Sequence, residues 1–496
     1  MEGRMNIDRR AFLGRCAAAG LGLSGAVTLD VATSAQGSFG LIQTPGGSMG
    51  PTVPLNNLTA VNAAWFAPNS GDTARPVVLK IASSLTAVVP YHGLGSVNAF
   101  SSVGSVTLMG HPDVILGTGG NRKLGNVSSD AGKLSDVILQ DLNFYPGVDP
   151  IADPAAPTND SRSGTDQMPF FGATEPTEGW GQTFQNRDAL HVYHVERLIM
   201  RNCTFAYGID ELLEMFRQQG NNNRVIKNVL VEDCFIGLPL RNPTDQGVPH
   251  GGAPRLLHDP AENQPHNFGG LLADGDATND TKVQNIVFRR CVFASNSRRN
   301  PALGIADAVT VDNCLVVHWG SWGMTIRNPK SDIGIPVPTR AMFRNNLFQP
   351  GPLSNLGTVF GLIRCGTTAT KLFIPGNYVI SPGDDNDWAN DDLLGSGDVD
   401  LQPSSGGVSN PNAIVSTPPY ETAYTAMLMP TSTAEARQTL YNDILDRVGP
   451  RWRDGDGNPL LGDSNTSVLL QWALLKIRDG SIPHITFPED ATGYTT

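Results

Sequence analysis

Three carboxylates stand out for their spacing. Asp188 stands ahead of the alternating run Leu190, Val192 and Val195, and Asp210 and Glu214 close the same stretch four residues apart. Hard divalent cations take several oxygen ligands from a stiff frame, and two neighbouring strands would supply one. Carboxylates so placed also serve as solvated acceptors at turns, and the surrounding chain has to decide between the two. His191, His194, His258 and His266 are bases by residue type, although a histidine on a strand is more often a hydrogen-bonded structural residue. No C-x-x-C or Cys/His spacing of the kind zinc takes is present.

The elements that must position these residues follow from a recurring phrase. It reads Val137-Ile138-Leu139-Gln140-Asp141-Leu142-Asn143-Phe144, then Leu198 to Phe205, Val229 to Phe235 and Ile286 to Phe293. Val309 to Leu315 and Met342 to Phe348 complete the set. Its apolar residues alternate with a period of two, which excludes helical repeats. Each unit holds short strands, a polar corner with Asn or Asp, and an inward Cys, Leu or Asn. No unit buries its apolar face alone, whereas stacked units bury a continuous core. A propeller would need a regular four-stranded blade, which the phrase lacks. The expected fold is all-β: a right-handed parallel β-helix with long loops and a C-terminal helix and arm. Cys203, Cys234, Cys291 and Cys314 share one place in the phrase, so packing is expected of them. With Cys365 they make an odd set, which argues against a full disulfide framework.

A net charge of −12 gives no broad attraction to nucleic acid. Arg9 and Arg10 precede a mildly apolar run and small residues near Ala32 to Ala35, the mark of a bacterial twin-arginine export signal. The expectation is export to the periplasm or beyond. No later run is apolar enough to span a membrane. The expected division is residues 1–35 as signal, 36–410 as β-helix and 411–496 as an arm packed on it. A short helix is expected at Ala60 to Phe66. Pro150 to Thr183 and Leu240 to Asn267 read as long loops bracketing the carboxylate stretch, and loops of that length in a compact fold are usually functional. Ser432-Thr433-Ala434-Glu435 has capping-box spacing, so a helix is expected from Ala434 to Val448. Asp454-Gly455-Asp456-Gly457-Asn458 lacks the glycine and glutamate of a calcium loop and reads as a solvated turn.

From about Leu58 to Asp454 the chain resembles the pectate lyase-like family, which also holds the pectin lyases. Arg187-Asp188-Ala189-Leu190 is similar to the family's W-D-A-I strand, and Asp210-Glu211-Leu212-Leu213-Glu214 to its D-G-x-x-D. His266-Asn267-Phe268-Gly269-Gly270-Leu271-Leu272 resembles H-x-K-x-x-L-I, and Ser297-Arg298-Arg299-Asn300-Pro301 resembles Q-R-x-P. Asp312-Asn313-Cys314 through His318-Trp319-Gly320 follows in family order, as do Leu440 to Gly449 and Arg453-Asp454. The resemblance implies a calcium ion on Asp188, Asp210 and Glu214, and Arg299 as the base that takes the C5 proton of a uronate during β-elimination. It implies substrate contacts by Arg298, His266 and Phe268. Phe268 and Gly304 stand where the family has a lysine and an arginine that meet uronate carboxylates.

The expected activity is therefore that of a monomeric, exported lyase on an acidic polysaccharide, pectate or partially esterified pectin. Phe268 is expected to offer substrate an apolar face suited to a methyl ester or a neutral sugar. Highly methylated pectin or another uronan is the alternative substrate, and a noncatalytic carbohydrate-binding β-helix is the alternative from another class. A hydrolase sharing the fold would need paired or triple aspartates in a motif the chain lacks.

Overall fold

The corners of the recurring phrase decide the architecture. Asp141, Asn202, Asp233, Asn313 and Asn345 all adopt positive φ, between 51° and 54°. Asn and Asp tolerate this left-handed conformation better than other residues with a side chain. Each such corner turns the chain from one short strand into the next, and the repeat winds into a coil.

The computed structural model describes residues within 38–481, outside the stretches 57–76, 90–98, 125–133, 146–187 and 240–267 and several shorter ones. The twin-arginine segment, the expected helix at Ala60 to Phe66 and both long loops lie outside the described residues. What is described includes three sheets of ten, nine and ten strands, and a two-stranded pair of Ser38–Phe39 with Glu421–Thr422. Successive strands of the chain go to different sheets, and each pairs with its counterpart in the next coil. Thus Val195–Arg201, Thr204–Phe205 and Glu211–Arg217 lie beside Ile226–Glu232, Phe235–Gly237 and Phe268–Asp274. Within these three sheets every pairing is parallel except that of Tyr378–Val379 with Asp392–Leu393. The fold is a right-handed parallel β-helix, as expected.

Register stacks like on like. Leu198, Val229, Ile286 and Val309 form one inward column and Met200, Val231, Phe288 and Val311 another, all buried in one core. Truncating Met200 to Ala would cost about 2–5 kcal/mol, because the neighbouring coils cannot collapse into the gap. At the corner the column reads Cys203, Cys234, Cys291, Cys314, Asn346, Asn377, linked by backbone N–H donors to side chains. Cys203 N donates to Cys234 Sγ (3.4 Å) and Cys314 N to Asn346 Oδ1 (2.8 Å). All five described cysteines are free and buried, in keeping with a packing role.

An outward column of the sheet that holds Val195–Arg201 alternates in charge: Arg201, Glu232, Arg289, Asp312, Arg344. Arg201 Nε and Arg289 Nη1 lie 3.0 and 2.8 Å from the Glu232 carboxylate, and Arg344 Nε lies 2.8 Å from Asp312. Opposite charges directly across a ladder favour this register over a slipped one.

Two C-terminal helices, Ala434–Arg447 and Val468–Arg478, bury Leu440, Ile444, Leu470 and Leu474 against Phe235, Val292, Leu315 and Leu347, which lie in the sheet of Thr204–Phe205 and Phe235–Gly237. Thr433 caps the first helix by accepting from Ala436 N at 3.1 Å, and the helix ends one residue before the expected Val448. The second helix was not foreseen. The end of the first helix and the segment beyond it are hooked to the coil corners: Asn202 Nδ2 donates to Arg447 O (2.7 Å) and Arg453 Nε to Asp141 (2.6 Å). Asp454 accepts from Asn458 N at 2.8 Å, both residues exposed.

Candidate active site

The nine-stranded sheet carries the residues whose types suggest chemistry. Its neighbouring strands include Leu190–Val192, Glu211–Arg217, Phe268–Asp274, Ala302–Leu303 and Met324–Arg327. Register places His191 opposite Glu214, and Asp188, just ahead of the first of these strands, accepts from Glu211 N through Oδ1 at 3.2 Å. His191 Nδ1 consequently lies 2.6 Å from Glu214 Oε2 and 3.3 Å from Asp188 Oδ2. Asp188 and His191 are buried and Glu214 is partly so. The imidazole stacks on Tyr193, with centroids 3.6 Å apart and planes 14° apart.

Electrostatics follow from this packing. Burial alone would push the His191 imidazole down, but the Glu214 charge and hydrogen bonds to Asp188 and Glu214 outweigh it and raise it to about 9. Burial, and then the Glu214 carboxylate, hold Asp188 well above the usual carboxylate range. Two carboxylates in a low-dielectric setting thus make a pocket of negative potential that favours positive charge.

Whether a calcium ion suits this group can be tested on its donors. One ligand atom from each of Asp188, His191 and Glu214 lies within 4.8 Å of the others, a spacing compatible with ligands around one divalent cation. The two carboxylates fit calcium. The imidazole nitrogen makes the set mixed, since imidazole suits transition metals better. The group fits a divalent cation, with Asp188 and Glu214 as the oxygen donors. Asp210 lies outside the described residues.

Arg298 and Arg299 sit on the tight loop before Ala302–Leu303. Asn296 Nδ2 donates to Asn300 Oδ1 (2.8 Å) and to Ile236 O (3.0 Å), pinning both ends of that loop. Arg299 takes φ +67°, which places its side chain over the neighbouring coil. A Cβ on Gly269 would lie 2.5 Å from Arg299 O, so the close approach requires glycine there. The Arg299 guanidinium pairs with the buried Glu211 carboxylate and lies 3.7 Å from the centroid of the Phe268 ring. Arg298 lies over the same ring at 4.7 Å. Glu211 therefore connects the two halves of the site, by its backbone to Asp188 and by its side chain to Arg299.

The structure brings together Asp188, Glu214, Arg298, Arg299 and Phe268 along one sheet, while His266 lies outside the described residues. Phe268 corrects an expectation: it is 2% exposed, because guanidiniums cover its ring, so it offers no apolar face to substrate. His191 and Glu211 were missed as partners of the carboxylates. Glu211 stands inside the Asp210–Glu214 motif and His191 directly after Arg187–Leu190, but only the register between coils assigns them their neighbours.

No protein-family model and no curated protein matches the chain. Among solved structures, similarity extends to pectate lyases. One from Bacillus sp. N165, in complex with trigalacturonate, is 11% identical over 82% of this chain and 95% of its own, with a TM-score of 0.40. A Bacillus subtilis pectate lyase mutant is 10% identical over 82% and 94%, with a TM-score of 0.41. Pectate lyase C from Erwinia chrysanthemi, at pH 9.5 with Ca2+, is 13% identical over 82% and 94%, with a TM-score of 0.36. At these values the site has to be argued from its own residues.

Proposed function

We propose that this protein is a polysaccharide lyase that cleaves a uronate-containing polysaccharide, pectate or partially esterified pectin, by calcium-assisted β-elimination. The observation that carries the reading is the placement, on one sheet, of a buried acid–histidine–acid group and an arginine joined to it through Glu211. Calcium held by Asp188 and Glu214, with Asp210 as third ligand, would neutralise a uronate carboxylate and so acidify the adjacent C5 proton. Arg299 takes that proton. The electron pair of the C5–H bond forms the C4–C5 double bond, and the 4-linked sugar leaves with its bonding electrons, to be protonated by solvent. Glu211 holds Arg299 in place until substrate arrives, and Phe268 supports the guanidinium from beneath.

The cost of this role is calculable. At pH 8 the neutral form of an ordinary guanidinium lies about 6 kcal/mol above the charged form, and that gap falls by about 1.4 kcal/mol per pH unit. Turnover should therefore rise close to tenfold per unit as the solution becomes alkaline. The Glu211 pair favours a second reading of Arg299, as a cation that stabilises charge developing on the substrate. That reading gives a flat profile over the same range. Export by the twin-arginine route, and a division into β-helix (36–410) and arm (411–496), complete the proposal.

The test is a panel of uronans of graded esterification, assayed for ultraviolet-absorbing unsaturated product. Product from at least one member supports a lyase. Tight binding without product would favour a noncatalytic carbohydrate-binding protein.

A further inference from the structure

Two oxygens and one nitrogen converge in the acid–histidine–acid group. Asp188 divides its carboxylate: Oδ1 accepts from Glu211 N at 3.2 Å, and Oδ2 faces His191 Nδ1 at 3.3 Å. Glu214 Oε2 lies 2.6 Å from the same nitrogen. Register fixes His191 opposite Glu214, and the stack on Tyr193 fixes the plane of the ring. Among the described residues, the buried His191 Nε2 has no hydrogen-bond partner, so no bond on the far side of the ring competes for its orientation. Nδ1 is thereby held where the two carboxylates meet.

Size and donor type then select the ion. Adjacent ligands at right angles stand about 1.4 times the metal–ligand distance apart, or about 3.0 Å for an ion bound at about 2.1 Å and about 3.4 Å for calcium at about 2.4 Å. The contacts to Nδ1, 2.6 and 3.3 Å, bracket the first value and fall short of the second. Calcium also takes about six to eight oxygens, often from carboxylates bound through both, whereas the Glu211 backbone engages one oxygen of Asp188. Magnesium is small enough but is served by carboxylate, carbonyl and water oxygens. Imidazole nitrogen suits first-row transition ions.

On the reading above that this group is the cation site of a lyase, we propose that His191 Nδ1 is a metal ligand beside Asp188 Oδ2 and Glu214 Oε2, so that the site takes a first-row transition ion in preference to calcium. The ion replaces the proton that Nδ1 shares with Glu214. Calcium occupies the same position at higher concentration. A site of carboxylates alone would carry no such preference for a nitrogen-seeking ion, and His191 is what supplies it.

The probe is Co2+ alone, compared with Ca2+ by calorimetry on the full chain stripped of metal and free of polysaccharide. One equivalent of Co2+ should bind about tenfold or more tighter than Ca2+, and excess Ca2+ should displace it. His191→Asn places an amide oxygen where Nδ1 stands. It should weaken Co2+ about tenfold or more while changing Ca2+ by less than about threefold. X-ray absorption at the cobalt edge supplies a readout that needs no variant, because an imidazole ligand leaves its own scattering pattern, and wild type should show it. Absence of that pattern overturns the proposal. So does equal affinity for the two ions in wild type, or a ratio of the two that His191→Asn leaves unchanged. Failure of the lyase reading looks different: no uronan yields unsaturated product with either ion, while the His191-dependent preference for Co2+ persists.

Discussion

Replacing Glu211 by Gln separates the two roles open to Arg299. The Glu211 carboxylate is buried, at 3% exposure, and pairs with an Arg299 side chain that is 23% exposed. Unit charges about 4 Å apart at an effective dielectric of about 20 interact by about 4 kcal/mol. Solvent at the exposed edge of Arg299 screens that to about 1–2 kcal/mol, or roughly one pH unit. The amide keeps the shape and one acceptor oxygen, and the backbone hydrogen bond to Asp188 survives, so the site should stay assembled. If Arg299 must be neutral to take the proton, removing the charge that favours its cation should move the alkaline limb of kcat/KM about one unit towards neutral pH. The assay is initial rate of unsaturated product across pH at saturating calcium, with circular dichroism as the check on folding. A profile that keeps its position while the rate drops at every pH would refute the base role and leave Arg299 as a cation positioned by Glu211.

Arg299→Lys should lower kcat by at least two orders of magnitude with KM little changed, since a lysine ammonium neither forks nor reaches as the guanidinium does; near-normal turnover would make Arg299 a spectator. Asp188→Asn should weaken calcium binding at least tenfold, read by calorimetry without substrate, and unaltered affinity would place the ion elsewhere. Glu232 tests the charge column. Burial pushes its carboxyl up, but Arg290, Arg201 and Arg289 hold it below its usual 4.5. Its contribution is therefore present above about pH 4.5 and lost as pH falls through the depressed value. Glu232→Gln should cost about 2–4 kcal/mol in denaturant unfolding at pH 7, with the gap to wild type closing in acid; a gap that stays constant from pH 7 to 3 would contradict this.

The strands were legible because alternating apolar residues and an Asn or Asp corner repeat wherever the coil turns, as at Leu198 to Phe205. Local chemistry also located the start of the first C-terminal helix, although its cap is Thr433, one residue after the Ser432 that the capping-box spacing marks. Relations between coils were not legible. That His191 faces Glu214 and that Glu211 reaches Arg299 both follow from register across strands 23 to 88 residues apart in sequence. Phe268 shows the same limit. Its type suggests a hydrophobic contact, but its column places it between Glu211 and Arg298, and the guanidiniums cover it. The apolar run of the helix Val468–Arg478, Val468 to Leu475, has no capping box ahead of it; Ser467 alone caps it.

The central claim is that Asp188 and Glu214 hold a cation needed for elimination on a uronan. The most direct test follows unsaturated product from partially esterified pectin by wild-type protein in excess chelator, then after calcium is restored. The account predicts no product under chelator and recovery on adding calcium, with Asp188→Asn recovering only at much higher calcium. Full activity in excess chelator would contradict it.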